Sequence, residues 1–307
     1  MTRDRQDSLM RWASRASVMV AVILISIKGV AWWLSGSVAM WGSLADSTLD
    51  LAASLVTLYA IKLALLPPDE DHRFGHGKAE ALAGLFQASI MSGSAAYLAL
   101  ESIGRIWSPE PVSATNLVMV VSAVSIGLTL LLILFQSYVI RHTKSLAVSG
   151  DHLHYKGDLL LNAGVILAAF LAGAGYMLAD GIIGLMIAAY ILYGAYDIVV
   201  PAIHMLMDRE FSDEEREQIF NIVMEGNGVL GVHDLKTRTS GRDKFIQMHL
   251  EVDGTITVHA GHLIADEAEA ALSEVFPDAE ILIHIDPPAP AEVSEDLTIR
   301  EIAHIED

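Results

Sequence analysis

The stretch WGSLADSTLDLAASLVTLYAIKLALL, residues 41–66, is apolar enough to cross a membrane, yet it carries Asp46 and Asp50 near its start. A membrane-spanning helix needs about 20 mostly apolar residues, which this stretch supplies. Residues four apart share one face of a helix, so the two carboxylates lie on the same side. A charge in the hydrocarbon core costs about 2.5–3.5 kcal/mol even on lenient scales. The pair is therefore tolerable where a cation lies between the carboxylates or where protons neutralise them.

Further apolar segments predict a bundle of six transmembrane helices. They cover residues 12–34, 38–65, 80–106, 113–140, 145–173 and 179–206. Lys and Arg are concentrated in the N-terminus, in the second gap and around the fourth gap. By the positive-inside rule, both termini are expected in the cytoplasm.

The acidic charge of the chain is concentrated in its last third. Residues 1–207 contain 12 Lys and Arg against 14 Asp and Glu, whereas residues 208–307 contain 7 against 24. This composition lacks the basic surface that nucleic-acid binding requires, so nucleic acid is not an expected partner. The absence of Cys excludes disulfides and thiolate metal sites.

The segment after the last span has the pattern of a small α+β domain. SDEEREQIFNIVMEGNG, residues 212–228, begins with a capping Ser and early acids, as a helix does. Two alternating segments, a second amphipathic helix and a short strand stopped by Pro287 follow. The sequence thus predicts a polytopic six-helix membrane domain over 1–207, a cytoplasmic α-β-β-α-β domain over 208–290, and a flexible acidic tail over 291–307.

A second pair of polar residues at i,i+4 spacing lies in the fifth span. SGDHLHYKGDLLLNAGVILAAF, residues 149–170, carries His154 and Asp158 on one helix face. Beside Asp46 and Asp50, this pair would complete four N and O donors, which suit tetrahedral Zn²⁺. The alternative is that Asp46 caps a helix and Asp158 is an interfacial residue. Metal ligands must lose their protons, so His154 could exchange a proton for the metal during alternating access.

The loop after the second span offers another group of ligands. PPDEDHRFGHGKAE, residues 67–80, contains Asp69, His72 and His76, which could hold one cation or belong to an ordinary polar loop. Lys78 follows at the start of the third span. It could extend its amine to the membrane surface, or pair with an acid near the domain boundary, for which Asp208 is a candidate.

The C-terminal domain carries a third group, in which His284 and Asp286 share one strand face. The candidate ligands are His233, His249, His262, His284 and Asp286. Asp286 could bridge two metal ions, because carboxylates have two oxygens. The alternative is that these are ordinary surface histidines.

Several motifs resemble those of the cation diffusion facilitator family, and they run in order over nearly the whole chain. They are ADSTLD at 45–50, DEDHRFGHGKAEALA at 69–83, LHYKGDLLLN at 153–162, LMDRE at 206–210, GVHDLKTRTSG at 231–241, FIQMHLE at 245–251 and IHIDP at 283–287. The resemblance implies a homodimer of six-helix membrane domains in a bacterial inner membrane, each with a metallochaperone-like cytoplasmic domain.

The resemblance also implies roles for the candidate residues. The transport site would be Asp46, Asp50, His154 and Asp158, and the loop site would be Asp69, His72 and His76. The cytoplasmic site would be binuclear, with His233, His249 and Asp286 around one ion and His262, His284 and Asp286 around the other. Lys78 and Asp208 would form a charge interlock near the dimer contact.

Together these features predict a proton-coupled exporter of divalent cations rather than an enzyme. His154 in place of a fourth carboxylate favours Zn²⁺ or Cd²⁺ over harder ions, and Fe²⁺ stays open. Zn²⁺ would be both cargo and regulator, and protons would be the counter-ion. A membrane metalloenzyme would need an open coordination position, which four ligands close. A membrane-anchored metal sensor would leave the ligand pairs in the spans without a role.

Overall fold

The computed structural model describes residues 1–35, 38–107, 116–176 and 178–288. The predicted tail over 291–307 and the first residues of the predicted fourth span, 113–115, lie outside the described residues. The chain divides into two compact units, Met1–His204 and Met205–Asp307.

The described residues of the first unit form six long helices. They are α1 (Arg3–Ser35), α2 (Val38–Ala64), α3 (Ala79–Trp107), α4 (Asn116–Thr143), α5 (Leu146–Gly173) and α6 (Ala179–Leu206). α1 begins ahead of the apolar segment predicted from residue 12. Its polar first turn continues the helical hydrogen bonding, since the N–H groups of Arg5 and Gln6 donate to the Thr2 carbonyl at 3.1 and 3.2 Å.

Among the described residues, five of these helices contain a stretch long and apolar enough to cross a membrane. The stretches lie within Arg3–Leu34, Ser43–Ala64, Ala79–Trp107, Val120–Thr143 and Ala179–Leu206. α5 is not one of the five stretches found among the described residues. The sixth span therefore stays a prediction.

The first unit has large apolar groups outside and polar groups inside. Trp33, Tyr97 and Phe170 are 82%, 71% and 75% exposed, whereas Gln87 and Gln136 are fully buried. A water-soluble bundle has the opposite arrangement. Apolar exteriors with hydrogen-bonded polar interiors are characteristic of helix bundles in membranes.

Glycines allow α5 to approach α3 closely. A Cβ atom at Gly150 would lie 2.8 Å from Cβ of Gln87, and one at Gly157 would lie 2.9 Å from Cε of Met91. Any larger residue at Gly150 would force the helices apart, whereas at Gly157 the end of the flexible Met91 side chain would have to move. His154 lies between these two glycines in the sequence and is buried.

Over residues 205–288, the second unit contains two helices and a three-stranded sheet in α-β-β-α-β order, as the sequence predicts. Its elements are α7 (Asp213–Met224), β1 (Gly231–Ser240), β2 (Asp243–Glu251), α8 (Val258–Val275) and β3 (Ala279–Asp286). Both helices begin at a capping hydroxyl. Ser212 accepts from the Glu215 N–H at 3.3 Å, and Thr257 accepts from the Ala260 N–H at 3.2 Å.

The sheet has one face covered by helices and one face that carries histidines. β1 and β2 are antiparallel, β2 and β3 are parallel, and β2 is the central strand. Ile246, Met248 and Leu250 of β2 pack in one core with side chains of α7 and α8. Successive strand residues face opposite sides, so His249 lies on the face away from this core.

Overpacking at Gly181 of α6 should destabilise the first unit. A Cβ atom there would lie 2.7 Å from the Ser102 carbonyl oxygen of α3, so the backbones must separate in the Gly181→Leu variant. Overpacking of this kind costs about 1–3 kcal/mol. We expect a lower midpoint of thermal unfolding, followed by circular dichroism in detergent.

Gly93→Leu in α3 is the matched control, because a Cβ atom at Gly93 meets nothing within 4 Å. Replacing a helical Gly by Leu in open space gains up to about 0.8 kcal/mol of helix propensity. Equal unfolding midpoints for the two variants would contradict the close contact between α3 and α6.

Candidate metal centre

Helices α2 and α5 bring three of the four predicted transport ligands together. Nε2 of His154 lies 2.9 Å from Oδ1 of Asp50 and 3.6 Å from Oδ2 of Asp158. One ligand atom from each of the three residues lies within 4.8 Å of the others. Zn²⁺ binds N and O ligands at about 2.0–2.2 Å, so ligand atoms in a tetrahedral site lie about 3.3 Å apart. The observed separations bracket this value.

The second ring nitrogen of His154 is held by a different partner. Nδ1 lies 3.1 Å from Sδ of Met91 on α3. A thioether sulfur is a weak acceptor, so this contact favours the tautomer with the proton on Nδ1. Nε2 is then the atom with the lone pair, and it faces the carboxylates of Asp50 and Asp158. Outer contacts of this kind fix the orientation of metal-binding histidines.

Asp46 lies outside this group of three. It is one turn before Asp50 on α2, and it is exposed, whereas Asp50 is partly buried. On the neighbouring helix α1, the amine of Lys28 donates to the Ser43 carbonyl at 3.2 Å and to the Ser47 hydroxyl at 2.7 Å. The ammonium group of Lys28 is thus hydrogen-bonded to the backbone of α2 on the side that faces α1.

The structure reveals a buried carboxylate that the sequence reasoning missed. Asp151 is 1% exposed, one turn before His154 on α5. It contacts Ser17 of α1, Ser54 of α2 and Gln136 of α4. An ionisable residue inside a span is a functional candidate by default, and the motif SGDHLHYKGD already displayed it.

The loop between α2 and α3 gathers its three predicted ligands. Asp69 Oδ1 lies 3.2 Å from Nδ1 of His72, and Asp69 Oδ2 lies 3.2 Å from Nε2 of His76. The loop itself positions Asp69, because the backbone N–H groups of His72 and Asp71 donate to its Oδ1 at 2.6 and 3.0 Å. These bonds, the His72 N–H foremost, lower the pKa of Asp69, so the carboxylate is ionised at neutral pH.

Strand register gathers part of the predicted cytoplasmic site. His233 pairs with His249 across β1 and β2, and His249 pairs with His284 across β2 and β3. Nδ1 of His249 lies 2.6 Å from Oδ2 of Asp286, and Nε2 of His233 lies 3.7 Å from the same oxygen. His233, His249 and Asp286 therefore form a group of one carboxylate and two imidazoles. The hydrogen bond from His249 is the main cause of a lowered pKa at Asp286, which keeps this ligand ionised.

His284 and His262 differ in their relation to this group. Nε2 of His284 lies 3.1 Å from Oδ1 of Asp286, the oxygen that the other two histidines leave open. His262 is on α8, which packs against the opposite face of the sheet, and its Nδ1 lies 3.5 Å from Asp266. The structure thus brings His284 to Asp286 but not His262. Glu251 was not predicted, yet its Oε1 lies 3.6 Å from Nε2 of His233.

The two residues of the predicted charge interlock lie in different units. Within the second unit, Oδ1 of Asp208 is 3.3 Å from a guanidinium nitrogen of Arg238 on β1. Lys78 lies immediately before α3 in the first unit. Their interlock stays a prediction.

Comparisons with known proteins cover both units. The family model for the cation efflux transmembrane domain matches residues 14–207, and that for the cation efflux protein cytoplasmic domain matches residues 211–288. The chain is 44% identical over 281 residues to the cation-efflux pump FieF of Yersinia enterocolitica serotype O:8, which covers 92% of this chain and 94% of that protein.

One further relative is similar to most of the chain, and one solved structure is similar to about a quarter of it. The cation-efflux pump FieF of Yersinia pestis strain Pestoides F is 43% identical over 280 residues, covering 90% of this chain and 93% of that protein. A solved structure of CzrB in its zinc form is 39% identical and covers 26% of this chain and 92% of its own chain, with a TM-score of 0.25.

Removing the shared carboxylate should weaken metal binding by the second unit. Asp286→Asn replaces the ionised oxygen that faces His233 and His249 with an amide. We expect Zn²⁺ affinity of a fragment of residues 205–307, measured by titration calorimetry, to fall at least about tenfold, or about 1.4 kcal/mol.

Glu280→Gln is the matched control, because Glu280 lies on the same strand at the end away from the histidine row. It removes the same charge and should leave the affinity unchanged. Equal weakening in both variants would mean that net charge, and not ligation by Asp286, governs binding.

Proposed function

Because this chain belongs to the cation efflux family, we propose that it exports a divalent metal cation from the cytoplasm in exchange for protons. The family consists of transporters rather than enzymes. The match to its family models confirms the resemblance inferred from the sequence motifs. Two relatives that are named cation-efflux pumps are similar to this chain over nearly their full length. We propose a bacterial inner membrane as its location, with both termini in the cytoplasm.

The meeting of Asp50, His154 and Asp158 inside the helix bundle is the observation that carries this proposal. Two carboxylates and one imidazole from α2 and α5 form a partly buried donor set at separations that suit a tetrahedral ion. We propose Zn²⁺ as the cargo, because an imidazole ligand favours it over harder ions, with Cd²⁺ and Fe²⁺ as alternatives. Asp46, one turn along α2, would supply the fourth ligand after a change of side-chain rotamer.

Proton exchange follows from the position of His154 Nε2. A proton on this nitrogen would be hydrogen-bonded by Asp50 at 2.9 Å, and a metal ion would occupy the same direction. The two cations therefore compete for one lone pair, and binding of either expels the other. Export would proceed by release of metal on the outer side and entry of protons there.

The second unit would act as a regulatory metal sensor in a homodimer. Zn²⁺ at His233, His249 and Asp286 would screen the acidic charge of this unit, which otherwise repels a second copy. This proposal has three further elements. They are a second ion among His262, His284 and Asp286, the loop site at Asp69, His72 and His76, and the interlock of Lys78 with Asp208.

An alternative function is that of a membrane-anchored metal sensor without transport. The histidine row favours it, because that group can bind metal without any contribution from the helices. The sensor hypothesis gives no role to the ligands buried between α2 and α5. Flux measurements therefore distinguish the two functions.

Transport should depend on Asp50. Purified protein in liposomes that contain a zinc-sensitive dye is expected to move Zn²⁺ when a pH gradient is applied. Asp50→Ala removes the carboxylate nearest His154, and we expect the initial rate to fall at least about a hundredfold, beyond the 10–100-fold typical of losing an outer-shell partner. Asp46→Ala should also reduce the rate if Asp46 is the fourth ligand.

Glu101→Gln is the control, since this exposed carboxylate of α3 contacts Arg105 and not the metal ligands. Its flux should equal that of the unaltered protein. Undiminished Zn²⁺ flux in a folded Asp50→Ala protein would refute the assignment of this site, and no flux in the unaltered protein would favour the sensor.

A further inference from the structure

Asp151 is held in a buried polar cluster that joins four helices. Its Oδ2 accepts from the Ser17 hydroxyl of α1 and from the Gln136 amide of α4, the latter at 2.7 Å. Its Oδ1 accepts from the Ser54 hydroxyl of α2 at 3.1 Å. Tyr155 closes the cluster, with its hydroxyl 3.0 Å from Ser54 and 3.1 Å from the Ser17 carbonyl. All five residues are buried, with at most 1% exposure.

Each described group that hydrogen-bonds to the Asp151 carboxylate is neutral. In the part of the chain that the structure describes, no Lys or Arg forms an ion pair with it. A buried carboxylate without a cationic partner carries a large desolvation cost, which hydrogen bonds offset only in part. A proton is the cation small enough to neutralise Asp151 inside so closely packed a cluster.

The cluster can accommodate Asp151 with or without a proton. In the ionised form, Ser17, Ser54 and Gln136 each donate one hydrogen bond to it. In the protonated form, Asp151 can donate to the Ser17 oxygen, because the Ser17 hydroxyl has a second acceptor in the Ala13 carbonyl at 3.1 Å. Rotation of one hydroxyl group therefore switches the cluster between the two states.

The charged and titratable groups near Asp151 belong to α2 and α5. On α5 they are Tyr155, in the cluster itself, and His154, one turn further on. On α2, Asp50 is one turn before Ser54, so the same pair of helices carries the metal ligands and the cluster in adjacent turns. The side chains packed here from the other helices are neutral: Ser17 of α1, Gln87 and Met91 of α3, and Gln136 of α4.

We propose that Asp151 is a second proton-binding site, which takes up a proton when the metal leaves and releases it when metal binds. This inference rests on the proposed function, in which His154 carries the first proton. With a divalent ion bound, the ion and the carboxylates of Asp50, Asp158 and Asp151 sum to one net negative charge, and Asp46 as fourth ligand adds the same charge before and after exchange. With the ion replaced by one proton on His154 and one on Asp151, the net charge is the same. Two protons for one ion thus avoid any change of buried charge, which is costly at low dielectric.

The ratio of protons to Zn²⁺ tests this proposal. In liposomes with the membrane potential clamped at zero, one finds the pH gradient at which a tenfold Zn²⁺ gradient gives no net flux. Two protons per ion balance it at about 0.5 pH unit, and one proton at about 1 pH unit. We expect zero net flux at about 0.5 pH unit for the unaltered protein and at about 1 pH unit for Asp151→Asn, because Asn cannot bind the proton.

Glu80→Gln is the matched control, since Glu80 is also a buried acid, 4% exposed, but contacts Ser145 at the start of α5. It should balance at the same gradient as the unaltered protein. Absence of any proton coupling in the unaltered protein would refute the proposed function itself. Coupling that is equal in the unaltered and Asp151→Asn proteins would overturn only the second proton site.

Gln136→Met provides a second test of the Asp151 proton site if the Asp151→Asn protein does not fold or does not transport Zn²⁺. The Gln136 amide nitrogen donates to Oδ2 of Asp151 at 2.7 Å and to the Ser17 hydroxyl at 3.0 Å. A hydrogen bond to an ionised carboxylate is stronger than one to the neutral acid, so its removal should make Asp151 hold its proton up to a higher pH. We expect this variant to exchange one proton at a pH at which the unaltered protein exchanges two, and two again at higher pH. A ratio that matches the unaltered protein at every pH would overturn the proposal.

Discussion

The contact between His154 and Asp50 is the interaction on which the membrane unit depends. It joins α5 to α2 across the interior of a bundle whose outer surface is apolar. Charged groups are expensive there, and they persist only if each finds a partner. The same contact leaves a nitrogen lone pair and two carboxylates around one point. The requirement that makes the charges tolerable in the bundle therefore also creates a candidate site for an exchangeable cation.

Close helix packing makes this contact possible. The glycines on either side of His154 let α5 approach α3, so that Met91 reaches the second ring nitrogen. One turn earlier, Asp151 fastens α5 to three other helices through side-chain hydrogen bonds. The imidazole is thus fixed from two directions, and its ligating nitrogen has one orientation. Movement of α5 relative to α2 would change the metal ligands and the Asp151 cluster together.

The second unit reaches a similar donor set by a different geometry. Strand register places His233, His249 and His284 in one row, and the alternation of strand residues adds Asp286 to the same face. Because the opposite face is packed against the helices, this row is displayed on the accessible side of the sheet. His262 of α8 contacts Asp266 and is not part of the group formed by His233, His249 and Asp286.

Sequence periodicity alone determined the helical membrane unit, the small α+β unit and most of the candidate ligand residues. The i,i+4 pairs Asp46–Asp50 and His154–Asp158 could be recognised because helix geometry is local and regular, and His284 with Asp286 because strand alternation is equally local. Only the tertiary structure decided that Asp50, His154 and Asp158 meet while Asp46 and His262 lie apart from their groups. It alone showed Asp151 joined to Ser17, Ser54 and Gln136, residues 134, 97 and 15 positions away. Such contacts depend on how helices rotate and approach one another, which close packing sets and no local spacing records.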